Sequence, residues 1–397
     1  MPDAPQGFNP TDPTFLENPF PFYALGRKHM PLAFNESAGV WLAFAYDDVQ
    51  SVLKDNATWS SAQVPMEGAP PGPPPTMLFS DPPRHTRLRG LVAQAFTPRM
   101  IDQLEPRIRR LADELLDPVA SVGNADIVES LAYPLPVIVI AEILGIPSED
   151  RARFKRWSDD VVRQLGQGVG PGEAPPPPED TFEQMRAYFT GMAEDRRSTP
   201  RDDLITGLVA AEVEGSKLNS EELLQMLILL LVAGNETTTN LIGNAIQEFI
   251  VHPAQLQAVL DDPSLVPSAI EEVLRFSSPV QVTARRATRS VELHGKTIAQ
   301  NQQVMTWLGS ANRDEQFFER GEEFDVRRAL SPRHLAFGLG PHFCMGAPLA
   351  RLEARIAIES FLRRCKNFQR ATSEPLPRVP TFVMRGVRSL PIVFDPE

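Results

Sequence analysis

The stretch FGLGPHFCMGA, Phe337 to Ala347, sets one of the chain's two cysteines among three glycines and a proline, then runs into the amphipathic pattern PLARLEARIAIESFLRR. Glycine-rich backbone ahead of a helical period reads as a tight loop that presents a thiol at a helix N-terminus. The positive end of the peptide dipoles there favours thiolate over thiol. Cys344 is therefore a candidate nucleophile or metal ligand, with an inert buried cysteine as the bland alternative. Zinc is disfavoured, because no second cysteine or histidine pair stands at zinc spacing.

Composition narrows the field. A formal charge of −12 over 397 residues argues against a general nucleic-acid-binding role, which needs a basic surface. The opening MPDAPQGFNPTDP has no apolar core of a secretory signal, so Cys344 and Cys365 are expected to stay reduced in a cytoplasmic protein. The longest apolar run, LLQMLILLLVAG from Leu223 to Gly234, is short and interrupted for a bilayer span and suits a helix buried in protein, so no membrane anchor is expected.

Helical periodicity dominates after Tyr46, in DDVQSVLKD, MIDQLEPRIRRLADELLDPVA, AQLQAVLDD and SAIEEVLRF. Strand-like alternation is confined to GVWLAFA, SVELHGKTIAQNQQVMTW and SLPIVF. Two tracts rich in proline and glycine, 68–75 and 168–180, separate segments of similar composition and read as long loops rather than linkers. The expected fold is thus mainly α with small β-sheets, in a single domain spanning 1–397.

The central apolar helix is expected to start at an N-cap, Ser220, and to end near His252. It turns polar midway, at AGNETTTN, where Glu236 and Thr237 bring a carboxyl and a hydroxyl into a core element. Either the helix surfaces there or it lines a ligand groove with an acid–alcohol pair. Further on, EEVLR places Glu272 and Arg275 three apart on one helix face, as a bidentate ion pair requires.

AGNETT, EEVLR and FGLGPHFCMG, in this order and at these separations, resemble the cytochrome P450 haem-thiolate monooxygenases, in particular the soluble bacterial ones. DPPRHTRLRGLVAQAFTP at 81–98 and RRATRSVELHG at 285–295 extend the resemblance over nearly the whole chain. It implies haem b held between the central helix and the cysteine-loop helix, with Cys344 as axial thiolate on the iron. It also implies a turn at Gly338 that aims amides at the sulfur, Phe337 packed beside it, and Gly346 admitting the next helix. His85, Arg89, His342 and Arg285 match positions that contact the propionates, with Arg286 as the alternative to Arg285. Ala233 and Gly234 match the place where the helix bends over the iron so that O2 fits, Thr237 the hydrogen bond to the reacting oxygen, and Glu236 the supply of protons. Glu272 and Arg275 match a structural pair joined by Arg327 or Arg328, with Arg328 preferred.

The implied activity is hydroxylation of an apolar small molecule, a terpenoid, fatty acid or polyketide-like compound, by O2. Electrons would come from NAD(P)H through a separate ferredoxin and reductase. By position the pocket would be lined by Met77, Leu78, Phe79, Leu229, Ala233, Val280, Val282, Phe382 and Val383, with Gln281 or Thr283 offering hydrogen bonds. Arg351 and Arg355 would form a local dock for an acidic ferredoxin, and the protein would be a monomer. A peroxide-driven peroxygenase and a non-catalytic haem-thiolate sensor are the rival readings, and the pair Glu236 and Thr237 argues against both.

Overall fold

The apolar repeat around Leu223 folds as the longest element of the chain, an unbroken helix over Ser220–Val251. It belongs to a computed structural model that describes residues 9–62, 76–165, 181–212, 215–329 and 334–397. The two proline-rich tracts, 68–75 and 168–180, lie outside the described residues. The cap of this helix is Asn219 rather than Ser220. Asn219 Oδ1 accepts the Glu222 amide at 2.8 Å, while a Glu222 carboxylate oxygen accepts the Asn219 amide at 3.3 Å. This reciprocal box satisfies two donors that the first turn would leave open, which a serine one position later does not do here. Glu222 also pairs with Arg87 and, at 3.4 Å, with Arg84.

The other predicted helices form over Tyr46–Lys54, Pro98–Ala120, Pro253–Asp261 and Val266–Phe276. Pro253 and Pro267 stand in first turns, where a missing N–H costs nothing. The helix Arg84–Ala95 forms within the stretch 81–98, and Ala347–Arg364 follows the cysteine loop.

Among the described residues, ten strands supply the small sheets: β1 (Leu32–Asn35), β2 (Val40–Ala43), β3 (Trp59–Ser60), β4 (Asn124–Asp126), β5 (Thr283–Ala287), β6 (Val291–Leu293), β7 (Lys296–Ile298), β8 (Gln303–Thr306), β9 (Lys366–Arg370) and β10 (Pro391–Asp395). The largest sheet has the order β1-β2-β8-β5-β3, with β2 and β8 parallel, so that Val40 lies opposite Gln303. The others are β4-β10-β9 and the hairpin β6-β7.

The chain divides into two compact units. One comprises Met1–Ser60, Arg107–Pro134 and Thr237–Glu397; the other comprises Ser61–Pro106 and Leu135–Glu236. In the first, one apolar cluster gathers Trp41, Tyr46, Trp59, Val304 and Leu335 around the largest sheet. A second gathers Tyr23, Phe44, Val282, Trp307 and Phe382. Tyr23 donates to Gln281 Oε1 at 2.9 Å, and the Gln281 amide donates to the Ser278 carbonyl at 2.6 Å. Gly309 makes room for this amide, since a Cβ there would stand 2.2 Å from Gln281 Oε1. In the other unit, Phe154, Trp157 and Phe189 are buried together, beside an Arg196–Asp203 ion pair of 2.6 Å.

Candidate active site

The cysteine loop is fixed by backbone before it is fixed by side chains. Gly338 and Gly340 have φ of +67° and +71°, where a side chain would be strained. A Cβ on Gly340 would in addition meet the Leu53 carbonyl oxygen at 2.7 Å. These turns bring the Cys344 amide to the Phe337 carbonyl at 2.9 Å and leave the Cys344 residue exposed. Gly346 caps the following helix, and a Cβ on it would approach Cys344 Sγ no closer than 3.8 Å. His342 closes a short 3-10 turn, Gly340–His342, just before the thiol. Cys365, by contrast, is buried at the far end of that helix, and burial pushes its thiol up to about 12.

The Glu–Arg pair is fully buried. Arg275 donates to the Glu272 carboxylate at 2.8 and 2.7 Å and to the carbonyls of Asn312, Gly321 and Glu323 at 2.8, 2.7 and 2.9 Å. Arg328 Nε reaches the same carboxylate at 3.1 Å, whereas Arg327 is exposed. The third member of the cluster is therefore Arg328.

In β5, neighbouring side chains take opposite faces. Arg285 is buried and bonds to Thr283 Oγ1 and the Ala284 carbonyl, while Arg286 turns to Asn301 and Ser60. His85 is buried in the helix Arg84–Ala95 and Arg89, one turn on, is half-buried.

Midway along the central helix the burial pattern breaks. Leu231, Val232 and Asn235 are buried, yet Ala233 is exposed and a Cβ on Gly234 would meet nothing within 4 Å. Glu236 and Thr237 follow as half-buried residues. Of the apolar residues expected at a pocket, Leu78 is exposed and Met77, Phe79 and Leu229 are half-buried. Val282 and Phe382 sit in the second core cluster, with the Phe382 and Trp307 rings 5.9 Å apart between centroids, and Val383 packs against that cluster. Val280 packs against the first cluster. Gln281 is committed to Tyr23 and Ser278 and is not available to a ligand.

The donor set fits haem. An exposed thiol in a loop held open by glycines offers one soft, anionic ligand, and the described residues contain no cluster of three or more His, Cys, Asp or Glu able to hold a metal ion by themselves. Arg285 and His342 lie in one unit, and His85 and Arg89 in the other.

Reasoning from sequence missed a second carboxylate, Glu271. Its oxygens take Arg351 Nε and Nη2 at 2.5 and 2.8 Å, and His334 Nε2 at 3.2 Å. The signals were present in the doubled acid of EEVLR and in a histidine three residues before Phe337. Arg351, read as a docking cation, is thus ion-paired, and Arg355 pairs with Glu359 at 3.1 Å.

Comparison with known proteins places the chain in a family. The family model for cytochrome P450 matches residues 178–391. The polyketide biosynthesis cytochrome P450 PksS of Bacillus subtilis is 38% identical, over 97% of this chain and 98% of its own length. The structure of cytochrome P450 CYP109Q5 from Chondromyces apiculatus superposes with a TM-score of 0.89 at 42% identity, covering 98% of each chain. CYP109E1 from Bacillus megaterium, solved in complex with testosterone, gives a TM-score of 0.85 at 39% identity, over 95% of this chain and 99% of its own. The chain belongs to the cytochrome P450 family. It is a bacterial-type P450 monooxygenase whose cofactor is haem b, whose co-substrate is O2, and whose reducing equivalents come from NAD(P)H through partner proteins.

Proposed function

We propose that the protein, acting as one monomeric domain over 1–397 in the cytoplasm, hydroxylates a medium-to-large neutral apolar molecule of terpenoid, fatty-acid or polyketide type. Bound haem b supplies the activation of O2. Cys344 gives it the thiolate ligand, and the loop amides around Gly338 hold that sulfur in place. Phe337 keeps water from it. His85, Arg89, Arg285 and His342 neutralise the propionates. Thr237 Oγ1 donates a hydrogen bond at the reacting oxygen, and the Glu236 carboxyl passes protons to it through water.

What supports the substrate reading is the apolar run of the central helix that leads up to Ala233, with Leu229 half-buried on it. Apolar ligands gain most from such surface, with few polar groups to orient them. Leu78, Met77, Phe79 and Leu229 add apolar area in the same unit. That a relative was solved with testosterone and another is named for polyketide biosynthesis supports a bulky guest. An acidic ferredoxin, fed by its reductase, is proposed to dock near Arg351 and Arg355, with charge acting chiefly on the encounter rate because Glu271 and Glu359 already balance part of it.

The test is a spectral titration of the haem-loaded protein against a panel graded in size and charge. Bulky neutral compounds are expected to move the Soret band from its low-spin to its high-spin position. A response confined to small or anionic compounds would overturn the apolar reading.

A further inference from the structure

One carboxylate ties together the two ends of the segment that carries Cys344. Glu271 lies on the helix Val266–Phe276 beside Glu272 but faces different partners. His334, three residues before Phe337, reaches it from the start of the loop; Arg351, seven residues after Cys344, reaches it from the helix beyond. The Ala336 amide donates to His334 Nδ1 at 3.3 Å, so the ring proton sits on Nε2 and points at Glu271. Arg351 also lays its guanidinium over the Phe337 ring, 4.6 Å from the centroid, and His334 flanks that ring at 6.0 Å. Phe337 is in turn the residue whose carbonyl accepts the Cys344 amide.

We infer that Glu271 is a positioning residue for the thiolate loop: through Arg351 and His334 it fixes Phe337, and through Phe337 it fixes the backbone at Cys344. This is a second anchor, separate from the buried pair of Glu272 and Arg275, and it rests on the reading of Cys344 as haem ligand. Arginine suits the task because its flat fork bonds a carboxylate with two N–H groups while its face stacks on an aromatic ring; lysine offers neither. Burial alone would raise the Glu271 carboxyl, but the hydrogen bonds from Arg351 and His334 outweigh it and hold the group at about 2, so the clamp stays charged throughout the neutral range. A further consequence concerns docking experiments. Reversing Arg351 to Glu would set two carboxylates against each other in the clamp, so a slowed reduction in that variant reports on the loop as much as on ferredoxin.

The experiment compares wild type with Glu271→Gln, Glu271→Asp, Arg351→Lys and Arg351→Met. Two quantities are read: hydrogen exchange at the Cys344 amide, and the rate at which the reduced carbon monoxide complex loses its thiolate Soret band at 37 °C. Glu271→Gln, Arg351→Lys and Arg351→Met are expected to raise both about tenfold, with Glu271→Asp close to wild type. Exchange in the central helix should stay unchanged, which a general loss of stability would not permit. Both readouts within twofold of wild type in the Gln and Lys variants would overturn the inference, as would an equal rise across the central helix. A wild-type protein that never shows the thiolate band would refute the ligand reading instead, and the exchange arm would still decide the clamp. Arg351→Lys keeps the charge, so it provides the comparison should the neutral variants not fold.

Discussion

Replacing Arg275 with lysine isolates geometry from charge at a fully buried polar site. The guanidinium makes five hydrogen bonds of 2.7 to 2.9 Å, two to Glu272 and three to backbone carbonyls. An ammonium has three donors on a single nitrogen, so at least two of the five bonds are lost. A hydrogen bond to a charged group is worth about 1.5–3 kcal/mol, which puts the loss of two at roughly 3–6 kcal/mol. That is a large part of the roughly 5–15 kcal/mol that separates folded from unfolded proteins. The Coulomb attraction to Glu272 is retained, so the loss measures the fork and not the charge. Equilibrium urea unfolding of the haem-loaded protein, followed by circular dichroism and tryptophan emission, reads it as a lowered midpoint at constant slope. Arg320→Lys is the control, since Arg320 is exposed and pairs with Glu323 at 3.2 Å, an arrangement worth under about 1 kcal/mol. If Arg275→Lys falls within 1 kcal/mol of wild type, as the control should, the reasoning from the lost guanidinium bonds is wrong.

Thr237→Ala removes one hydroxyl at the polar break of the central helix and should leave haem loading intact. NADPH consumption is expected to continue while product per NADPH falls several-fold and peroxide rises; an unchanged yield would remove Thr237 from the oxygen site. Glu353 gives a pH dependence of definite sign. It is buried on the cysteine-loop helix, and desolvation pushes its carboxyl from 4.5 up to about 8. Below the unfolded value both states hold the proton and nothing is lost. Between there and about 8 only the folded state keeps it, so stability falls as pH rises, by about 3 kcal/mol at pH 7. Glu353→Gln should therefore match wild type near pH 4.5 and exceed it increasingly toward pH 8 in urea unfolding. Parallel curves for the two proteins would show that Glu353 ionises normally.

What the sequence made legible was what local covalent constraint decides. The cysteine loop could be read because left-handed glycines and a helix start leave a signature within eleven residues, and the strands at Val40–Ala43 and Pro391–Asp395 because alternation is local. The central helix was found with its ends nearly right; the cap shifted by one residue because Asn219 and Glu222 satisfy each other in the folded chain. The choice of Arg328 over Arg327 turned on how the chain bends after Asp325, whose side chain takes the Arg327 amide. Partners far apart in the chain were not legible. Glu271 meets Arg351 across 80 positions, and Gln281 meets Tyr23 across 258, so an arginine read as a docking cation and an amide read as a ligand contact prove to have internal partners. Period and propensity carry no information about which distant side chain will arrive.

The parallel pairing of β2 with β8 has a bearing on how the chain is made. β1 and β2 leave the ribosome early as a hairpin, but the strand that completes β2 begins roughly 260 residues later. At synthesis rates of about 5–20 residues per second, the outer edge of β2 waits roughly 13–50 s for its neighbour. During that interval an apolar ribbon containing Trp41 and Leu42 exposes an open row of amides and carbonyls, the kind of edge on which nascent chains join one another. Yield in a heterologous host should then depend on chaperones that shelter the first sixty residues, and slower translation would lengthen the exposure rather than relieve it.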